Sequence, residues 1–304
     1  MNEKKEILLK RLIIIAVLTA TCTAATYIQI KMPTGDMVHL GNFVMIMAAL
    51  LLGGVEGGII GSFGMGIYDL IMYSNKPSTI IRTFILKFII GFIVGYVFRL
   101  IIKKKVNTTH LLIGATAFFV ALFGVSLGFF LAGDKSALAF NTGLVSKAEN
   151  FLGSGKTVNI SLYIPIFSII FAIGMGLAII FQHKMSSRSK AALFAITIAV
   201  LVNILGEFIL RWTLEGTFNV FVSKLEDGYT VSLITATSKI PGSLITGFIS
   251  VFLAALVYEP VYRGVRNLDA FKDDTRAFDE DEISSEEDIA EIDTDVNKKH
   301  NELV

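Results

Sequence analysis

Long apolar runs broken by short polar stretches set the pattern of this chain. A bilayer core about 30 Å thick needs roughly 20 apolar residues at 1.5 Å rise each. Runs of that kind fall at about 12–30, 40–53, 55–74, 80–102, 111–133, 160–182, 191–213 and 233–258. They predict an all-α polytopic membrane helix bundle of about eight spans. The second run is short and joined to the third only by Gly53-Gly54-Val55-Glu56-Gly57. Six spans plus one re-entrant hairpin is therefore the alternative.

The polar breaks orient the bundle, because Lys and Arg collect in short cytoplasmic loops. Lys4, Lys5, Lys10 and Arg11 precede the first run. Arg99 and Lys103–Lys105 follow the fourth, Lys184, Arg188 and Lys190 the sixth, and Arg263 and Arg266 the eighth. Every cluster falls on one side, which predicts that both termini are cytoplasmic. Thr21 before Cys22 is a poor lipoprotein cleavage site and the first run is long for a signal core, so the first helix is expected to be retained.

Composition agrees: 53% of residues are hydrophobic, 17% charged, and mean hydropathy is +0.67. An ordinary soluble enzyme carries roughly 25% charged residues. The single cysteine excludes a disulfide framework and any Cys-based zinc site. The net charge of +1 hides two unlike parts. Residues 1–266, read as the membrane domain, hold 23 Lys and Arg against 12 Asp and Glu; residues 267–304 hold 4 against 14. That acidic segment has too little apolar content to offset ordering entropy and reads as a disordered cytoplasmic tail. The basic residues sit between apolar runs and not along one helix face, which argues against nucleic acid.

Small residues four apart allow helix backbones to approach in lipid. Gly57/Gly61, Gly91/Gly95 and Gly124/Gly128 have that spacing and read as packing. Ala16, Ala20 and Ala24 form a similar stripe on the first run, either for internal packing or for docking another membrane protein. Gly153-Ser154-Gly155-Lys156-Thr157 mimics the end of a phosphate-binding loop. The full pattern needs Gly where Asn150 stands, so the motif is rejected.

Ionisable groups in the hydrocarbon region are costly and mark function by default. Asp69, Arg82, Lys87, Glu207, Arg211 and Lys239 all fall near the outer ends of their runs. Six such groups at one depth suggest a water-filled pocket open outward, with a positive balance suited to a carboxylate, phosphate or electron-rich ring. Snorkelling to the interface, with a Glu207–Arg211 pair, is the plainer account. Asp36 and His39 lie in the Pro- and Gly-containing loop that leads into the second run, where they can cap a helix or meet a solute. Tyr68, Tyr73 and Trp212 read first as interface-belt aromatics.

The stretch Gly35-Asp36 … Leu40-Gly41-Asn42 … Ala48–Gly54 … Gly57 … Gly61 … Gly64 … Asp69-Leu70 … Thr83 … Lys87 … Gly91 … Gly95 resembles the substrate-binding S components of energy-coupling factor (ECF) transporters, in particular the riboflavin-transporter-like group. The likeness covers roughly 12–102 and returns weakly at Lys239-Ile240-Pro241-Gly242-Ser243 … Gly247. It implies a bacterial plasma-membrane protein that captures a vitamin-like solute from outside. Such a protein joins a transmembrane coupling subunit and two ATPase subunits. ATP is then used by the partners, with no cofactor on this chain. By position, Ala16, Ala20 and Ala24 match the family's docking stripe. Asp36, His39, Asn42 and Lys87 fall where the family binds its solute. Six helices are usual in the family, against eight read here, and residues 111–182 match poorly.

Two other classes compete. An autonomous secondary transporter would place coupling-ion ligands near mid-membrane at broken helices, and Pro241-Gly242 is the clear candidate break. An intramembrane enzyme needs a nucleophile, base or metal motif, and neither H-E-x-x-H nor G-x-S-x-G is present.

Overall fold

A computed structural model describes residues 3–31, 37–132 and 163–266, together with Leu268. Asp36, the Gly153–Thr157 motif and, apart from Leu268, the acidic tail lie outside the described residues. In chain order the elements are α1 (Glu3–Tyr27), β1 (Gln29–Lys31), β2 (Met37–His39), α2 (Gly41–Leu52), α3 (Gly54–Met72), α4 (Pro77–Lys103), α5 (Thr108–Ala132), α6 (Tyr163–Ile180), α7 (Ser187–Leu210), a π-turn (Arg211–Glu215), α8 (Gly216–Phe221), α9 (Gly228–Ser238) and α10 (Ile240–Val265).

Among the described residues, five helical stretches are long and apolar enough to cross a membrane: Lys5–Tyr27, Pro77–Lys103, Thr108–Gly128, Ser187–Phe221 and Gly242–Val265. The eight runs of the sequence therefore divide into unlike kinds. At 12 residues, α2 reaches only about 18 Å, well short of the hydrocarbon thickness. The run expected at 233–258 is not one helix but two, since α9 ends and α10 begins at Lys239. The loop expected at 214–232 is largely helical, and the loop before α2 forms an antiparallel pair with Gln29 opposite His39 and Lys31 opposite Met37.

The centre of the bundle is α2. It is apolar on every side except at Asn42, and a helix hydrophobic all round belongs in an interior. Ten of its residues are buried, and α1, α3, α4 and α10 surround it. Its last carbonyl, that of Leu52, accepts from Nη2 of both Arg11 (2.7 Å) and Arg99 (2.8 Å). Arg11 also pairs with Glu56. Gly53 turns the chain there with φ +127°, a conformation closed to most L side chains.

Glycine sets the tightest seam, between α3 and α4. A Cβ on Gly91 would lie 2.5 Å from the backbone of Gly57 and Gly58, and one on Gly95 would lie 2.3 Å from the nitrogen of Gly54. Gly61 similarly receives Met45. The third glycine pair differs: Gly124 and Gly128 on α5 meet nothing among the described residues, so the packing expected of them is not found there. Helix α5 packs chiefly on α6.

Candidate functional site

The buried face of α4 repeats as 82/83, 86/87, 90/91, 94/95, 98 and 101/102, the 3.6-residue stripe of an amphipathic helix. Its lower part is apolar or glycine and forms the seam. Its first two turns carry Arg82, Thr83 and Lys87, each at most 7% exposed. The same face that packs the bundle thus turns polar near one end.

Above that point lies a cavity of about 570 Å³, with walls from α3, α4, α7, the π-turn, α8, α9 and α10. Asn42 in the first turn of α2 and His39 just before it line the cavity, so the short α2 leaves room where a full span would have filled it. Of the residues singled out from the sequence, His39, Asn42, Asp69, Arg82, Lys87, Glu207, Arg211 and Lys239 all line this one space. Snorkelling does not describe Arg82 or Lys87, both 5% exposed.

The charges are organised. Glu207 Oε2 lies 3.4 Å from Arg82 Nε and 3.2 Å from Arg211 Nη2. Glu215 Oε1 accepts from Arg82 Nη1 and lies 3.3 Å from Arg211 Nη1. Two guanidiniums and two carboxylates therefore alternate in a closed ring. Lys87 Nζ donates to Asn203 Oδ1 at 2.9 Å and stands 3.9 Å from Glu207. Thr83 donates its hydroxyl to Asp69. Among the lining groups, Lys76, Arg82, Lys87, Arg211 and Lys239 face Asp69, Glu207 and Glu215.

Glu215 and Asn203 were missed because the sequence places one in a loop and the other carries no charge. A signal existed: Asn203, Glu207, Arg211 and Glu215 are spaced by four. A four-residue step over-rotates an α-helix by about 40°. The wider π-turn over Arg211–Glu215 takes that rotation back and keeps Glu215 over Arg211; such turns recur at functional sites.

Asn42 brings a deep, orphaned acceptor to the cavity wall. Its residue is 5% exposed and its Oδ1 has no hydrogen-bond partner. A buried acceptor left unmade is costly. His39 Nδ1 accepts from the Gly41 N–H at 3.2 Å. Burial pushes this imidazole down to about 3; Lys87 adds to the effect and Glu207 opposes it. Tyr68 is not a belt residue: it is 1% exposed, lines the cavity, and its hydroxyl accepts from Gln29 Nε2 at 2.7 Å. Trp212, 39% exposed, fits the belt reading better. Among the described residues, no three His, Cys, Asp or Glu side chains converge to hold a metal ion.

The stripe on α1 lies away from all this. Ala16, Ala20 and Ala24 are exposed, whereas Cys22, Ala25 and Thr26 turn inward. Among the described residues, their exposure argues against internal packing.

Long apolar helices around a polar cavity at one end are the arrangement of a multi-pass membrane protein. Residues 6–148 match the family model described as ECF-type riboflavin transporter, S component, the family that the sequence resembles. This is a transporter family and not an enzyme family. The match contains His39, Asn42, Asp69, Arg82 and Lys87; the α7, π-turn and α10 side of the cavity lies beyond it. No curated protein and no solved structure matches the chain.

Proposed function

We propose that this protein is the substrate-binding membrane subunit of an ECF-type uptake transporter. It captures a small vitamin-like solute from outside and hands it to an ATP-driven coupling module. The observation that carries the reading is the cavity itself: buried ionisable groups from three long helices meet at one end of the bundle, and away from that end α3 and α4 close on each other along a glycine seam. The family match supports the role. Binding falls to His39, Asn42, Asp69, Arg82, Lys87, Glu207, Arg211 and Lys239, with Glu215 and Asn203 holding the ring in place.

The solute is read as a polar molecule held mainly by hydrogen bonds. Arg82 and Arg211 are already matched by Glu207 and Glu215, so the simple anion site expected from the sequence loses two of its four cations. Asn42 Oδ1 would accept from a donor on the solute. Mass spectrometry of small molecules retained through gentle purification identifies the solute. Equilibrium binding to the purified protein, with no ion gradient, then tests the reading. Asn42→Ala is expected to weaken binding by about 1–3 kcal/mol, the cost of an unmade buried bond. Lys239→Ala should weaken it less than Asn42→Ala does. The reverse order would mark the solute as an anion, and no binding at all would remove the capture role.

A secondary transporter is the second reading, favoured by the helix break at Lys239 beside the cavity. It requires sodium or protons for binding, which the same titration measures.

A further inference from the structure

The other end of α4 carries a second cavity, of about 360 Å³. It is walled by Ile101 and Ile102 at the end of α4, Lys105 in the following turn, Thr108 at the start of α5, and Ser187 and Lys190 at the start of α7. Ile101, Ile102 and Thr108 are at most 8% exposed. Lys105 reaches solvent and Lys190 is half-buried.

Three observations bear on what fits there. The first is depth. Arg82 and Ile102 lie twenty residues apart on one continuous helix, a distance of about 30 Å. That equals the hydrocarbon thickness, so with the solute cavity at one membrane boundary this cavity stands at headgroup level in the opposite leaflet. The second is chemistry. One wall is apolar and the other holds two ammonium groups, a match to the junction where a phosphodiester joins a glycerol and its acyl chains. The third is a hydroxyl donor. Thr108 is 8% exposed and lines the cavity, whereas its neighbour Thr109 is committed to Gln182 at 2.7 Å and Asn107 Oδ1 caps the amides of Thr109 and His110. Basic pockets between membrane helices are suited to anionic lipid headgroups.

We propose that this cavity is a binding site for an anionic phospholipid, with Lys105 and Lys190 on the phosphate and the Thr108 hydroxyl donating to one of its oxygens. The site is separate from the solute cavity, and the proposal rests only on the chain crossing a bilayer.

Native mass spectrometry of the full-length protein in detergent tests it, with phosphatidylglycerol and phosphatidylcholine of identical acyl chains supplied together. The wild type should retain phosphatidylglycerol at least tenfold over phosphatidylcholine. Lys105→Gln with Lys190→Gln should bring that ratio close to one, since each lysine near a headgroup is worth about fivefold. Thr108→Val, which keeps shape and charge, should lower the amount of phosphatidylglycerol retained about fivefold; both lipids carry the phosphate oxygen it would meet, so this variant is read on the amount and not on the ratio. Lys10→Gln with Lys224→Gln makes the same change of charge elsewhere and should leave the ratio intact. An unchanged ratio in the first double variant overturns the proposal, as does undiminished retention of phosphatidylglycerol in Thr108→Val or a wild type without preference. Displacement of phosphatidylglycerol by millimolar inorganic phosphate also overturns it, because the site would then take free phosphate. A double variant that fails to fold leaves Thr108→Val to decide.

Discussion

Glu215 shows how one residue can change the reading of a site. Without it, Arg82 and Arg211 look like cations waiting for an anion; with it, they are two corners of a neutral ring. Removing one partner of a buried ion pair leaves an uncompensated charge. Glu215→Gln is therefore expected to lower stability by about 3 kcal/mol, read as a depressed melting temperature in detergent. An unchanged melt would mean that water already screens the ring. His39 makes a second residue-scale prediction. Its Nδ1 accepts from Gly41, which a protonated ring cannot do. Between about 6.5 in the unfolded chain and about 3 in the folded one, only the unfolded state binds this proton. Stability should therefore fall as pH drops through that window and recover as pH rises. His39→Gln should flatten this part of a pH–melting profile.

Among the elements, periodicity was a good guide to long helices and a poor one to short ones. The stripe on α4 and the apolar run of α7 could be read directly, because burial repeats with the helix turn. By contrast, α2 is too short to declare whether it spans, and the joint at Lys239 falls two residues before the Pro241-Gly242 break that the sequence offers. The antiparallel pair before α2 is only three residues a side, below what alternation can reveal. Glycine spacing was also ambiguous. The pairs 91/95 and 124/128 look alike in sequence, yet only the first meets another backbone. Gly95→Ala should cost about 1–3 kcal/mol or block folding, as overpacking does. Gly124→Ala should be neutral or mildly stabilising, since alanine is the better helix former. Equal melts for the two variants would remove the seam from the account.

For the molecule as a whole, the sequence located the polar end of the bundle before it could say what shape lay there. Depth along each helix was countable; the neutralising ring was not, because it joins residues more than 130 positions apart. On the proposed function, the exposed stripe on α1 is the surface offered to a coupling subunit. Ala16→Leu with Ala20→Leu should abolish co-purification with that subunit while solute affinity stays within twofold; persistent co-purification would move the docking face elsewhere. The glycine seam has its own consequence for how a solute gets in. Where main chain rests directly on main chain, there are no flexible side chains to yield, so α3 and α4 behave as one fixed jamb. Entry and exit are then left to the door opposite: the Lys239 joint, the short helices before it and the paired strands. Cross-linking α3 to α4 should leave uptake intact, and pinning α9 to the α3–α4 edge should stop it.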